Sequence, residues 1–186
     1  NFDSLMPNRL FWNRRGKHFA DVSMAAGVAH LQKGHGIAFA DYDHDGDQDI
    51  FIEMGGAYPG DAFLNTVFQN PGFGNHWLSV KLIGTTSNRM GVGARVRVEF
   101  TEADGTQRSI YRWMNSGGSF GANPLRLHVG LGQATSAKLE VYWPVTDRTQ
   151  TWDGVPADQI IQVWEDRAQW DKMPITQSQR RNEGSL

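Results

Sequence analysis

The sequence predicts an all-β fold, and three observations carry that expectation. Short runs of alternating apolar and polar residues recur at close, regular spacing from His76 onward. The 21 glycines and seven prolines punctuate the chain, and amphipathic patterns of helical length are scarce. A run of aspartates at every second position, Asp41, Asp43, Asp45, Asp47 and Asp49, sits between two strand-like segments and encloses Gly46.

Taken in order, Asn8 to Asn13 and Arg15 to Val22 read as two short strands around a glycine turn, followed by a brief helical turn over Ser23 to Val28. Ile37 to Ala40 and Ile50 to Glu53 are apolar runs rich in β-branched and aromatic residues, so the aspartate run joins two strands. Met54 to Phe73, with Gly55-Gly56, Pro59-Gly60 and Pro71-Gly72, reads as a long connection to which Leu64 to Asn70 adds one strand. Trp77 to Ile83 and Ala94 to Phe100 alternate. In the second run Val96, Val98 and Phe100 lie on one side and Arg95, Arg97 and Glu99 on the other. Asp104-Gly105 turns the chain into Arg108 to Trp113. Further strands are expected at Leu125 to Val129, Ala137 to Trp143, Gln150 to Trp152 and Gln159 to Trp164, which makes an antiparallel β-sandwich or open barrel. The polar residues after Glu165 suggest a short helical turn near Trp170 and a loose tail.

The aspartate run has the chemistry of a calcium loop. Asp41, Asp43 and Asp45 converge if the backbone curls sharply, and Gly46 can take the positive φ at the point of the curl. Asp47 would offer its main-chain carbonyl and Asp49 would close an oxygen-only shell from the start of the next strand. Four carboxylates roughly 5 Å apart at an effective dielectric of about 20 repel by about 3 kcal/mol per pair, which a divalent ion would relieve. So many protein oxygens favour Ca2+ over Mg2+, which keeps several of its waters. An EF-hand is excluded, because the twelfth position is Ile52 and strands, not helices, flank the loop.

A formal net charge of -2 with no basic run argues against nucleic acid as a partner, and no stretch has the length of a membrane span. The absence of cysteine excludes disulfides, thiolate metal sites and a cysteine nucleophile. Metalloprotease, phosphate-loop and nucleophile-elbow signatures are missing.

Two sets of motifs carry a family resemblance. The first is Asn8-Arg9-Leu10-Phe11-Trp12-Asn13, Phe19 to Val28, and Gly36 to Phe51 around the aspartate run. The second is Asn75-His76-Trp77-Leu78, Ser87-Asn88-Arg89, Gly91 to Val96, Ser116 to Phe120, His128 to Gly132, Val141 to Pro144, and Gln150. Together they make residues 8 to 165 resemble the C-terminal part of the cartilage acidic protein family, in which FG-GAP repeats (integrin-α-like, also called VCBS) precede an ASPIC and UnbV domain. The resemblance implies a calcium-binding β-propeller. Only one complete aspartate loop is present, and propellers need several blades, so residues 1–73 are expected to be the end of a propeller. Its open edge would be completed by further blades of a longer chain or covered by neighbouring subunits. Residues 74–166 would form the β-sandwich and 167–186 a polar tail.

Weaker features are weighed beside these. Ser116, Gly117, Gly118 and Ser119 could cradle an anion with backbone amides, helped by Arg89 or Arg112, although a glycine-rich loop between strands is usually a turn. His35 and His44 flank the calcium loop, but no acid or nucleophile has a defined position beside them. Trp77, Trp113, Tyr142, Trp143, Trp152 and Trp164 could stack sugar rings if exposed, though strand aromatics more often fill cores. Arg95 and Arg97 are expected beside Arg108 and Arg112 of the hairpin partner.

The leading functional expectation is a noncatalytic extracellular or periplasmic calcium-binding module that presents a protein or glycan surface. A structural part of a larger complex is the second, and a calcium-dependent polysaccharide hydrolase or lyase the third. Calcium supports the external placement, because extracellular modules bind it with dissociation constants of about 10⁻⁴ to 10⁻³ M and would stand empty in a typical cytosol.

Overall fold

The computed structural model describes residues 7–56, 59–60, 62–118 and 120–175. Thirteen strands and no helix are present among them, so the all-β expectation holds. The chain forms two compact units, neither of them continuous in sequence.

Unit 1 comprises residues up to Ala40, Asp49–Asn70 and Gly118–Ala122. Strands β1 (Phe11–Arg14) and β2 (His18–Asp21) form a hairpin around the turn at Arg15 and Gly16, both with positive φ. The turn over Ser23 to Gly27 closes through Ala26 N–H to the Val22 carbonyl and Val28 N–H to the Ser23 carbonyl. Ser23 Oγ accepts the Leu10 amide and donates to Asp21. A second sheet has the order β3-β4-β5, from Gly34–Ala40, Asp49–Met54 and Thr66–Phe68, all antiparallel. Phe120 and Gly121 lie against β3 so closely that a side chain on Gly36 would collide with the Phe120 carbonyl, and one on Gly121 with the backbone of Ile37.

Unit 2 comprises Asp41–Gln48, Pro71–Gly117 and the residues from Asn123 onward. Its strands are β6 (His76–Ile83), β7 (Arg95–Thr101), β8 (Gln107–Trp113), β9 (Leu127–Gly132), β10 (Ser136–Trp143), β11 (Arg148–Pro156), β12 (Gln159–Trp164) and β13 (Asp171–Met173). They make two four-stranded sheets, ordered β11-β10-β7-β8 and β13-β12-β6-β9. Alternation puts Val96, Val98 and Phe100 of β7 and Leu139, Val141 and Trp143 of β10 on the inner face. Leu78, Val80, Leu82, Val129, Leu131, Ile161 and Val163 meet them from the other sheet in one cluster. Trp143 is completely buried, and its indole N–H donates to Gln150 Oε1 at 2.7 Å. Gln150 in turn donates to the carbonyls of Trp164 and Arg167.

Three details differ from expectation. The sandwich is antiparallel except at one pair, because β12 runs parallel to β6. Asp171–Met173 forms the edge strand β13, where a helical turn near Trp170 was expected. Backbone pairing to Ile160, Ile161 and Gln162 organises this polar segment, which has no apolar pattern of its own. Finally, the β7–β8 register sets Arg95 opposite Trp113 and Arg97 opposite Tyr111, while Arg112 faces Val96 and Arg108 faces Phe100. Directly opposed residues share a face, so Arg108 is set opposite an inward position, while Arg112, opposed to Val96 on the edge strand, still lines one surface trough with Arg95 and Arg97. The tail 176–186 lies outside the described residues.

Candidate metal centre

The loop between β3 and β4 curls as the spacing of its aspartates requires. His44 and Gly46 both have positive φ, at 61° and 99°. Each carboxylate reaches forward to the backbone: Asp45 N–H donates to Asp43 Oδ1 at 3.3 Å, and Asp47 N–H donates to Asp45 Oδ1 at 3.0 Å. In this curled loop one carboxylate oxygen from each of Asp41, Asp43 and Asp45 lies within 4.8 Å of the others.

Asp41 sits at the bottom of the trio, 5 % exposed, and its Oδ1 has no hydrogen-bond partner. Burial raises the pKa of this carboxyl and the neighbouring Asp45 adds to the rise, while the Gly46 amide, His44 and Arg126 oppose it. A buried carboxylate oxygen without a donor is costly in a protein interior, and a cation is the partner that the arrangement suits. The oxygen-only donor set fits a hard divalent ion. Asp47 and Asp49 are outside the carboxylate trio. Asp47 approaches Gly72, so closely that a Cβ there would lie 2.6 Å from its Oδ2. Asp49 opens β4, is buried, and accepts the Asn70 amide at 2.8 Å.

The apex of the loop is held by side chains that the sequence did not single out as a support. Gly46 lies directly on the Trp77 indole, leaving no space for a Cβ. Trp77, 7 % exposed, stacks on His128 with ring centroids 5.3 Å apart and planes at 17°. His128 also hydrogen bonds to the Gly46 backbone. Burial, with the charges of Arg126 and Arg112, pushes its pKa down to about 4, so the imidazole is neutral near pH 7. The start of β6 is pinned by Asp158: Trp77 N–H and the His76 ring bond to its carboxylate, and Asp158 N–H donates to the Trp77 carbonyl at 2.7 Å. The sequence signals for this support were the motifs Asn75-His76-Trp77-Leu78 and His128 to Gly132, which supply the two stacked rings.

Among the described residues of the glycine-rich loop, the backbone amides of Gly117 and Gly118 are engaged within the loop itself. The Gly117 amide donates to Asn115 Oδ1 and the Gly118 amide to the Gly121 carbonyl. Arg112 donates to the Tyr111 carbonyl, and the Arg89 guanidinium lies 5.2 Å from the centroid of Trp164. Ser116 is exposed, and Ser119 lies outside the described residues. Backbone amides do form a nest elsewhere, around Glu165. The amides of Thr85, Thr86 and Ser87 each donate to its Oε2 at 2.8 Å, and the hydroxyls of Ser87 and Thr146 donate to Oε1. Burial disfavours the charge on Glu165, but these hydrogen bonds outweigh it and bring the pKa down to about 2.

Comparison with known families finds two matches along the chain, and their bounds do not coincide with the two compact units. An FG-GAP-like repeat matches residues 3–52, ending within the strand that follows the aspartate loop, and an ASPIC and UnbV domain matches residues 84–169. The chain joins an FG-GAP-like repeat to an ASPIC and UnbV domain. In these terms the aspartate loop belongs to the FG-GAP-like repeat, and the Glu165 nest lies wholly within the ASPIC and UnbV domain. The pairing points to an interaction or structural module. A search of curated proteins finds none that matches the chain. No helix among the described residues is long and apolar enough to cross a membrane.

Proposed function

We propose that this protein is a noncatalytic calcium-binding interaction module that works outside the cytoplasm and presents its β-sandwich to a protein or glycan partner. The observation that carries the reading is the orphaned Oδ1 of buried Asp41 within a trio of carboxylates. Asp41, Asp43 and Asp45 supply side-chain oxygens, with Asp47 contributing its carbonyl and Asp49 completing the shell. Bound calcium cancels the repulsion within the loop and stiffens the segment that covers Trp77 and His128.

The test is calorimetric titration of metal-stripped protein with Ca2+, paired with thermal melts. One site per chain and a raised Tm are expected, with both effects abolished by joint D43A and D45A substitution. Absence of binding, or unchanged stoichiometry in the double variant, overturns the reading.

A second reading, a structural part of a larger assembly, draws on the apolar side chains that unit 1 leaves exposed. Trp12, Phe19 and Phe51 are 53 %, 67 % and 41 % exposed. A self-associating or insoluble isolated chain would favour it.

A further inference from the structure

The outer face of the sheet β11-β10-β7-β8 carries a constellation independent of the metal loop. Cross-strand register aligns two rows on it. Tyr142, Arg95 and Trp113 form one, and Glu140, Arg97 and Tyr111 the other. The rows line a shallow, open trough of about 600 Å³. Tyr111 and Trp113 are 55 % and 56 % exposed, a large apolar area for side chains that have a core available one residue away on the same strand.

The polar groups of the trough are divided by charge and by partner. The Arg97 guanidinium is tied to Glu99 and Ser109 and lies 5.9 Å from the Tyr111 ring centroid. Arg95 has no carboxylate partner among the described residues, and its guanidinium rests 4.6 Å from the Tyr142 ring centroid. Stacking on an aromatic face orients the planar fork of arginine and leaves its N–H groups directed outward for a bidentate anion. Glu140, in the adjacent row, also has no ion pair among the described residues and is an acceptor for hydroxyl donors.

We propose that this trough binds an acidic oligosaccharide whose sugar units carry a carboxylate, a refinement that rests on the reading of the protein as an interaction module. Flat C–H faces of pyranose rings pack on Trp113 and Tyr111, the uronate carboxylate pairs with Arg95, and ring hydroxyls donate to Glu140. An acidic peptide satisfies Arg95 but brings neither an apolar ring face for Trp113 and Tyr111 nor the ring hydroxyls that would donate to Glu140. A neutral glycan satisfies the aromatics and leaves the guanidinium without an anion.

The experiment is calorimetry on the full chain with a hexasaccharide of alternating glucuronate and N-acetylglucosamine, a neutral N-acetylglucosamine hexamer and a glutamate octapeptide, each with calcium and with chelator. The acidic hexasaccharide is expected to bind at least about tenfold more tightly than the other two. W113A should weaken it about tenfold, by removing the stacking face. R95Q should lower the acidic hexasaccharide to the level of the neutral one while leaving the neutral one unchanged. Unaltered melting curves of W113A and R95Q, both at exposed positions, show that the fold is intact, and Y111A supplies a second stacking variant if W113A melts early. Equal binding of peptide and acidic sugar with no effect of W113A, or no binding of either sugar, overturns the proposal. Because the trough shares no residue with the metal loop, sugar binding should persist in chelator, so failed calcium binding and failed sugar binding are separate results.

Discussion

The two units use the same element, the short β-strand, in opposite ways. In unit 2 the strands alternate cleanly, and the inner residues of β7 and β10 are at most 5 % exposed. In unit 1 every residue of β1 is exposed and β2 buries none fully. Among the described residues only Val28, Ile52 and Met54 of this unit are buried hydrophobics. A sandwich closes its core with its own second sheet, whereas the hairpins of a repeat unit have apolar faces on both sides that stacking against neighbours would cover. Unit 2 therefore holds the stability of the chain, and unit 1 holds the surface that remains to be covered.

Substitutions at the centre of unit 2 should separate the units most. Trp143→Ala removes the largest fully buried side chain and leaves Gln150 Oε1 without its donor, so a loss of about 3–5 kcal/mol in denaturant unfolding is expected. Glu165→Gln comes next, at about 2 kcal/mol near neutral pH, because an amide cannot present two acceptor oxygens to five donors. The pH dependence of this effect has a definite sign. The folded pKa of about 2 lies below the ordinary value of 4.5, so Glu165 contributes stability that is fully present above about pH 4.5 and is lost as the pH falls through about 2. The stability difference between wild type and E165Q should close over that interval in acid titrations followed by circular dichroism. A constant difference would assign the nest a packing role only.

Gly46→Ala should cost about 1–2 kcal/mol, since alanine fits neither φ of 99° nor the space against Trp77. It tests whether the loop is a working part of unit 2, and an unchanged melt would sever the loop from the sandwich. The smallest effect is expected at Phe19→Ser, below about 0.5 kcal/mol in dilute protein, because this side chain is 67 % exposed. A loss that grows with protein concentration in sedimentation-matched melts would show that a second copy covers this face and would break the contrast.

The sequence made those features legible that are set by neighbours along the chain. Alternation at Ala94 to Phe100 and Ala137 to Trp143 gave β7 and β10, and the spacing of Asp41, Asp43 and Asp45 around Gly46 gave the loop with its positive φ. Features set by distant partners were hidden. β13 is ordered by the backbone of β12, and the parallel pairing of β12 with β6 joins segments about eighty residues apart. The nest around Glu165 has the same separation, so Ser87-Asn88-Arg89 was visible as a motif while its purpose was not. Register was hidden as well: four arginines in one hairpin read as a cluster, yet Arg108 is opposed to inward-facing Phe100 and only Arg112 joins Arg95 and Arg97 in lining one trough. The support of the metal loop by Trp77 and His128 was missed because nothing along the chain brings either ring to Gly46, which lies about thirty and eighty residues away.

Trp77 also makes the loop observable without a label. Its indole is fixed face to face with an imidazole in an asymmetric buried site and touches Gly46, where the aspartate loop turns. A rigid aromatic pair of this kind gives a near-ultraviolet dichroic band, and any movement of the loop apex on taking up an ion alters the field around that chromophore. A W77F difference spectrum assigns the band, after which its amplitude reports the state of the loop through the protein's own absorption.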